Sequence, residues 1–224
     1  MLLKIEKLSK AYNKRKDAKV EIFNNLDLCI KDDKVTVIFG PSGVGKSTLL
    51  NMLGTVDAPD SGKITLNGVV YDKGNYQKLR KNFIGYMFQF HYLLPEFTIF
   101  ENLKIALDIK RNKDLDRKDI EKGILQILRD FDIESKINCY PSELSGGEKQ
   151  RASLARAIIN NPSIVLADEP TGNLDAKNSE NIINKIQEIS IEKDIKFIIA
   201  THNQRFENIA SSMYEIRDLT LIKK

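Results

Sequence analysis

The 224-residue sequence has only two cysteines and no apolar run of the about 20 residues that a membrane-spanning helix needs. Cys29 and Cys139 form neither a disulfide framework nor a metal-binding pattern, so we expect both to be small buried residues. The longest apolar runs, such as IVLA at 164–167, have the length of strands. The N-terminus, MLLKIEKLSK, alternates and is charged, unlike a signal peptide. These absences predict a cytoplasmic protein, which would need a separate partner to act at a membrane.

An excess of one charge is also lacking. The chain carries 35 basic and 31 acidic residues, a net charge of +4, and this balance gives no argument for nucleic-acid binding. The basic cluster from Lys4 to Lys19 is interpreted as a solvated surface segment. With 42% apolar and 29% charged residues, the composition is that of a globular protein with one large α/β domain or two small ones.

Hydrophobic patterning predicts strands towards both ends of the chain and helices in the middle. The predicted strands are 2–12, 20–30, 35–40, 164–170 and 196–202, with a strand pair in SGKITLNGVVY that turns at Ser61-Gly62 and Asn67-Gly68. The predicted helices follow the Gly-rich turn after residue 39 and cover much of 99–131 and 147–161. We therefore expect one domain over 1–224, with an α/β core at about 1–90 and 159–224 and a helical subdomain inserted at about 91–158.

The segment GPSGVGKST, residues 40–48, matches the pattern of a phosphate-binding loop, with a predicted strand before it and a helix after it. Its glycines let the backbone turn tightly and aim amide hydrogens inward, and the helix adds the positive end of its dipole. The loop residues expected at the phosphates are Gly40, Pro41, Ser42, Gly43, Val44 and Gly45. Lys46 is expected to reach the β- and γ-phosphates, Ser47 to ligate Mg²⁺ and Thr48 to contact the α-phosphate.

Two carboxylates end the apolar run IVLADEP at 164–170. Asp168 is expected to hold Mg²⁺ through water, and Glu169 to polarise the water that attacks the γ-phosphate. Alone, such a pair after a strand is more often a solvated turn. Beside a phosphate-binding loop, the functional interpretation is favoured.

The segment LSGGEKQR, residues 144–151, predicts a second anion-binding element. Ser145, Gly146 and Gly147 offer a hydroxyl and bare amides directly before a helix. A second phosphate-binding element in one chain is explained if it binds the nucleotide of a partner subunit.

Together these three motifs resemble those of the nucleotide-binding subunits of ABC transporters, and the resemblance covers essentially the whole chain. It implies a P-loop NTPase (RecA-like) α/β core with an antiparallel β subdomain and an inserted α-helical subdomain. It also implies ATP and Mg²⁺ as cofactors. Two copies would meet head to tail, with each ATP between the phosphate-binding loop of one copy and LSGGEKQR of the other.

The resemblance also implies roles for single residues. The catalytic set would be Lys46, Gln89, Glu169 and His202, and the Mg²⁺ set would be Ser47, Gln89 and Asp168. Tyr12 would stack on adenine. Ser145, Gly146 and Gly147 would act across the dimer interface, and Asp175 in NLD would couple the two sites.

The stretch FQFHYLLPEFT begins at Phe88. Its second residue, Gln89, lies at the family's glutamine position, and bulky apolar residues come after it. Phe90, Tyr92, Leu93 and Leu94 would line a groove for a short helix of an integral membrane permease, so docking is expected near Phe90–Glu96. For any single one of these residues, packing in the core is an equally good interpretation.

The segments FQFHYLLPEFTIFENL and LADEPTGNLD resemble sequences of the group of this family that powers lipoprotein release from the inner membrane. The macrolide-export and cell-division ATPases share parts of it and stay open as alternatives, as does another importer or exporter. Peripheral attachment to the inner membrane is implied. Two departures from the family pattern are Asn203, where Asp is usual, and RDLTL at 217–221, which lacks the usual glycine of its hairpin.

Two other classes of protein fit the sequence less well. A soluble ABC-type ATPase of DNA repair would carry long coiled-coil arms between the phosphate motifs, and about a hundred residues separate Lys46 from Ser145. Translation members usually carry two such domains, and 224 residues hold only one. A non-hydrolysing binding module would lack Glu169 or His202, and both are present.

Overall fold

The computed structural model describes residues 2–14, 18–110 and 117–224 and contains two β-sheets. The smaller sheet consists of β1 (Leu3–Lys14), β2 (Ala18–Ile30), β4 (Ser61–Leu66) and β5 (Val69–Val70). The larger sheet consists of β3 (Val35–Phe39), β6 (Ile84–Met87), β7 (Ile164–Asp168), β8 (Lys196–Thr201), β9 (Ser212–Arg217) and β10 (Thr220–Lys223). The smaller sheet is antiparallel in the order β2-β1-β4-β5. The larger has the order β10-β9-β3-β8-β7-β6 and is parallel except for β10.

Within these described ranges, six α-helices accompany the sheets. They are α1 (Lys46–Leu53), α2 (Tyr76–Asn82), α3 (Ile99–Lys110), α4 (Arg117–Asp130), α5 (Gly146–Ile158) and α6 (Ala176–Glu192). Helices α3, α4 and α5 lie between β6 and β7, in the region predicted to be a helical subdomain. None of the helices in the described ranges is long and apolar enough to span a membrane.

The central strands β3, β7 and β8 are buried on both faces, which is why their sequences are continuous apolar runs. In β8, Phe197 and Ile199 pack in one apolar cluster with residues of α3 to α6. Ile198 and Ala200 point to the other face and pack with α1 and the antiparallel sheet. The larger sheet is thus a middle layer that is packed on both faces. The functional segments follow directly from the ends of its strands.

The structure corrects two sequence-based expectations. Cys29 is exposed and Cys139 only partly buried, because Leu28 and Ile30 take the inward positions of β2 and alternation turns Cys29 outward. Ser61-Gly62 is not a turn but part of β4. Gly62 has φ of +93°, and a Cβ there would lie 2.5 Å from the Cα of Leu8, so the glycine permits close approach to β1.

Candidate functional site

The phosphate-binding loop connects β3 to α1, as the sequence predicts for residues 40–48. Gly43 and Gly45 have φ of +80° and +113°, and a Cβ on Gly45 would lie 2.6 Å from a methyl carbon of Ile22. Only glycine satisfies both conditions at residue 45. The loop borders a cleft of ≈ 240 Å³. Its side of the cleft is formed by Ser42, Gly43, Gly45, Lys46, Ser47 and Thr48.

Lys46, the first residue of α1, holds a buried ammonium group inside this loop. Its Nζ donates to the carbonyl oxygens of Gly40 at 2.7 Å and Pro41 at 3.2 Å. The same Nζ lies 3.3 Å from Glu169 Oε1, with side chains 7% and 10% exposed. A buried charge is tolerated only when paired and hydrogen-bonded, and these three oxygens meet that condition.

Asp168 ends β7. Burial raises the pKa of its carboxyl group, and the neighbouring Ser47 hydroxyl and Lys46 ammonium group act in the opposite direction. Its Oδ1 is buried and has no hydrogen-bond partner within the described part of the chain. An unsatisfied buried carboxylate oxygen next to a serine hydroxyl fits a Mg²⁺ ion, which takes one or two protein oxygens and keeps water or phosphate for the rest.

Glu169 is held in a strained conformation, with φ of +43°. Thr201 Oγ1 donates to Glu169 Oε2 at 2.8 Å, and His202 Nδ1 lies 3.0 Å from Oε1. Because an ionised carboxylate only accepts, Nδ1 is the donor. Burial favours the neutral acid, but the hydrogen bonds from His202 and Thr201 and the charge of Lys46 outweigh it, so the pKa of Glu169 lies below its usual value. The group is therefore a carboxylate at neutral pH.

Gln89 and His202 complete the wall of the cleft opposite the phosphate-binding loop, next to Glu169. Gln89 follows β6 after one intervening residue, Phe88, and β6 pairs with β7. His202 comes directly after β8. Parallel strands therefore deliver Gln89, Glu169 and His202 to one edge of the larger sheet. The four residues of the predicted catalytic set, including Lys46, all line one cleft.

The segment after Gln89 makes a turn that the sequence did not reveal. His91 and Tyr92 have φ of +62° and +43°. Arg156 of α5 donates to the carbonyl oxygens of His91 at 2.8 Å and Tyr92 at 2.6 Å, and Ser153 Oγ donates to His91 O at 3.3 Å. A planar guanidinium reaches two carbonyls at once, so α5 fixes this turn.

The turn exposes part of the predicted docking stretch. Phe90 is 65% exposed and Tyr92 60% exposed, and Leu94 is half-exposed. Leu93 instead lies in the apolar core, so core packing is the correct interpretation for that one residue.

The LSGGEKQR segment begins α5. Ser145 is the N-cap, its Oγ accepting from the backbone N–H of Glu148, while the carboxylate of Glu148 accepts from Ser145 N and Oγ at 2.8 Å. A Cβ on Gly147 would lie 2.5 Å from Asn178 Oδ1. Asp175 caps α6 by accepting from Asn178 N at 2.8 Å. Among the residues that the structure describes, the cleft at Lys46 is lined by neither this segment nor Asp175.

Tyr12, on β1, is 41% exposed. Its hydroxyl donates to Asp57 Oδ2 at 2.5 Å, and Lys10 Nζ lies 4.8 Å from its ring centroid. Burial raises the pKa of the Tyr12 hydroxyl and the neighbouring Thr48 hydroxyl lowers it, so the aromatic ring lies beside the start of α1.

Thr201, Arg156 and Asp57 were not among the residues that the sequence pointed to. Thr201 precedes His202 in a strand-end segment, which is the only sequence signal that could have suggested it. The contacts of Arg156 and Asp57 join residues 64 and 45 positions apart, and no local pattern reports such contacts.

Comparisons with known proteins agree with this geometry. A family model described as ABC transporter matches residues 23–172. The lipoprotein-releasing system ATP-binding protein LolD of Buchnera aphidicola subsp. Schizaphis graminum is 39% identical over 221 residues, which cover 97% of this chain and 95% of that protein. The protein of the same name from Wigglesworthia glossinidia brevipalpis is 38% identical, with coverage of 100% and 97%.

Solved structures share the whole fold. The ATP-binding cassette MJ0796, in a dimeric post-hydrolysis state bound to ADP and Pi, has a TM-score of 0.91 and 30% identity, and the match covers 100% of this chain and 98% of that chain. The protein cbiO1 of Clostridium perfringens, part of the transporter complex cbiONQ, has a TM-score of 0.85 and 28% identity, with coverage of 99% and 86%. The two-sheet architecture described above is thus that of an ABC ATPase. The chain belongs to the ABC transporter family, as an ATP-binding and ATP-hydrolysing subunit.

Proposed function

We propose that this ATPase powers the release of lipoproteins from the inner membrane, as a cytoplasmic subunit attached to a membrane permease. The relatives named LolD, at 36–39% identity over nearly the full chain, support that choice within the family. The observation that carries the hydrolytic part is the Glu169 carboxylate, held between Lys46, Thr201 and His202 in one cleft.

The roles within the cleft follow from these contacts. Lys46 exchanges its carbonyl partners and Glu169 for the β- and γ-phosphates of ATP, and the amides of the phosphate-binding loop bind the remaining phosphate oxygens. Glu169 then accepts a proton from the attacking water, and His202 holds the carboxylate and contacts the γ-phosphate side. Ser47, Asp168 and Gln89 would hold Mg²⁺, which when bound offsets phosphate charge.

The second phosphate-binding element completes the site only in a pair of chains. Ser145 and Gly146 are exposed and Gly147 is buried at the capped start of α5, outside the Lys46 cleft, so this segment would bind the ATP of the other copy. Asp175, at the start of α6, would connect the two sites. The dimeric structures of the cassette MJ0796 support the pairing of two chains.

The exposed side chains of Phe90, Tyr92 and Leu94 would receive the permease. They follow Gln89 directly, so a shift of a docked helix would be felt at the cleft. Arg156 ties the same turn to α5, and thereby to the element that acts on the partner's nucleotide. A macrolide-export or cell-division machine of the same family would use the same surface and is the second candidate.

The test is a pull-down from detergent-solubilised native membranes with tagged Glu169→Gln chain and ATP, read by mass spectrometry. Glu188→Gln, on the exposed face of α6, is the matched control. Co-purification of lipoproteins with a permease that has a large extracytoplasmic domain and few spanning helices supports lipoprotein release. A many-helix permease or division proteins would overturn that assignment and leave the ATPase, and no membrane protein at all would overturn the transporter role.

A further inference from the structure

A cluster of three side chains beside the phosphate-binding loop is not explained by the roles given so far. Lys10 and Tyr12 lie two residues apart on β1 and therefore on one face of the strand. Asp57 lies in the loop between α1 and β4 and reaches both of them. The cluster connects the N-terminal sheet to the helix that begins at Lys46.

Asp57 makes a separate contact with each of its carboxylate oxygens. Oδ2 accepts from the Tyr12 hydroxyl at 2.5 Å, while Oδ1 accepts from Lys10 Nζ at 2.8 Å and from Ala58 N at 2.7 Å. Lys10 Nζ also donates to Ala58 O at 2.7 Å. The carboxylate is thus held from three directions, and its second oxygen is aimed at the tyrosine.

Lys10 is a buried charge whose position is fixed. The residue is 7% exposed, and a buried ammonium group keeps its partners because breaking the pair leaves an uncompensated charge. Its Nζ lies 4.8 Å from the ring centroid of Tyr12, in cation–π range. With one face of the ring against Lys10, the exposed part of Tyr12 offers its remaining surface to a flat partner.

The loop that carries Asp57 is a rigid continuation of α1. Asp57 N donates to Asn51 O at 3.2 Å, and Gly54 N donates to Leu50 O at 2.7 Å. One helix therefore fixes both the phosphate-binding loop at its start and the tyrosine through the loop at its end.

We propose that Asp57 and Lys10 are positioning residues that hold Tyr12 at a set distance from the phosphate-binding loop, as a platform for the adenine base of ATP. The inference rests on the proposed stacking role of Tyr12. It adds that the hydroxyl of Tyr12, and not only its ring, contributes to nucleotide affinity, because the hydroxyl is the atom that Asp57 holds.

The experiment measures the affinity of the full-length chain for Mg·ATP and for Mg·tripolyphosphate by calorimetry, together with KM and kcat. Tyr12→Ala removes the platform and should lower the affinity for ATP about 10- to 100-fold, as expected for loss of base stacking. Tyr12→Phe and Asp57→Ala keep the aromatic ring but remove the hydrogen bond that holds it. Each variant should lower the affinity for ATP about 3- to 10-fold, seen as a higher KM with kcat unchanged. Tripolyphosphate affinity should stay within about twofold in all three variants.

The decisive comparison is the double variant Tyr12→Phe/Asp57→Ala. If Asp57 acts through the Tyr12 hydroxyl, the double variant loses no more than either single variant. Additive losses, or an equal loss of tripolyphosphate affinity, would mean that Asp57 only stabilises the fold and would overturn the proposal. Asp57→Asn keeps an oxygen for the hydroxyl and should recover most of the ATP affinity. Glu6→Ala, which breaks an exposed ion pair with Lys4 on the same strand, is the control.

Failure of this inference is distinguishable from failure of the ATPase assignment. If Tyr12→Ala binds ATP as the wild type does while Lys46→Ala binds neither ATP nor tripolyphosphate, the phosphate-binding assignment is kept. The proposal that Tyr12 is an adenine platform is then wrong. If the wild-type chain binds neither ATP nor tripolyphosphate, both fail.

Discussion

Lys46 Nζ and Glu169 Oε1 lie 3.3 Å apart, with both side chains almost fully buried. The residue that would bind the phosphates and the residue that would activate water are therefore partners of each other in this structure. ATP has to take over the ammonium group of Lys46, and this leaves Glu169 with Thr201 and His202.

Glu169→Gln should therefore abolish hydrolysis without weakening nucleotide binding. We expect kcat to fall by about 10²–10⁴-fold, the range for loss of a general base, and ATP affinity to stay equal or increase because Lys46 loses its competing charge. Phosphate release and calorimetry measure the two quantities, and light scattering should show an ATP-dependent dimer. Thr201→Val, which removes one hydrogen bond but keeps the carboxylate, should slow the reaction far less. Normal turnover by Glu169→Gln would contradict its role.

Arg156 should be essential for the turn that follows Gln89. Arg156→Lys cannot serve the carbonyls of both His91 and Tyr92, so one of these two carbonyls loses a charged donor. We expect the free energy of unfolding to fall by about 1–3 kcal/mol and the amide protons of this turn to exchange faster. Urea titration and hydrogen exchange measure these effects. Arg129→Lys, on the exposed surface of α4, should change neither, and slow exchange of the turn in Arg156→Lys would show that the clamp is not needed.

Asp194 should make stability depend on pH in the acid range. Its hydrogen bonds with Lys196 and Lys34 lower its pKa from 3.8 to about 2. The folded pKa is depressed, so the stabilisation is fully present above about pH 4 and is lost as the pH falls through 2. The melting temperature of Asp194→Asn should lie below that of the wild type at pH 5, and the gap should close towards pH 2. Asp130→Asn, whose carboxylate contacts Gln126, should show no such convergence.

The sequence predicted well the elements whose cause is local. The apolar runs before Gly40 and before Asp168 are strands because both faces of the larger sheet are covered, and glycines at fixed spacing formed the expected loop. Helix α6, helix α2 and strand β6 were not assigned from the sequence. The positions of Gln89, Glu169 and His202 in one cleft followed from motif order and parallel pairing.

The contacts that hold the motifs in place could not be predicted, because they join distant segments. Asn203 is an example. It stands where the family usually has Asp, and its Nδ2 donates to Thr171 Oγ1 at 3.0 Å. An Asp could only accept there, so the hydroxyl of Thr171 would have to reverse its role. The direction of this hydrogen bond depends on tertiary structure, which the sequence alone does not show.

The glycine-free turn between β9 and β10 should be a source of strain that can be relieved. Arg217 pairs with Thr220 across the hairpin, so Asp218 and Leu219 form a two-residue turn, with φ of +49° and +62°. Positive φ suits glycine and disfavours leucine by about 1–2 kcal/mol. Part of this is offset because glycine gains more freedom in the unfolded chain.

We therefore expect Leu219→Gly to increase the free energy of unfolding by up to about 1 kcal/mol, or about 2–4 °C in melting temperature for a chain of this size. The side chain is 37% exposed, so the apolar contacts that it loses offset part of the relieved strain. Leu219→Ala keeps the Cβ and the strain, and should give no increase. Calorimetry of the three proteins checks this, and a lower melting temperature for Leu219→Gly would mean that the packing of the leucine outweighs the backbone strain.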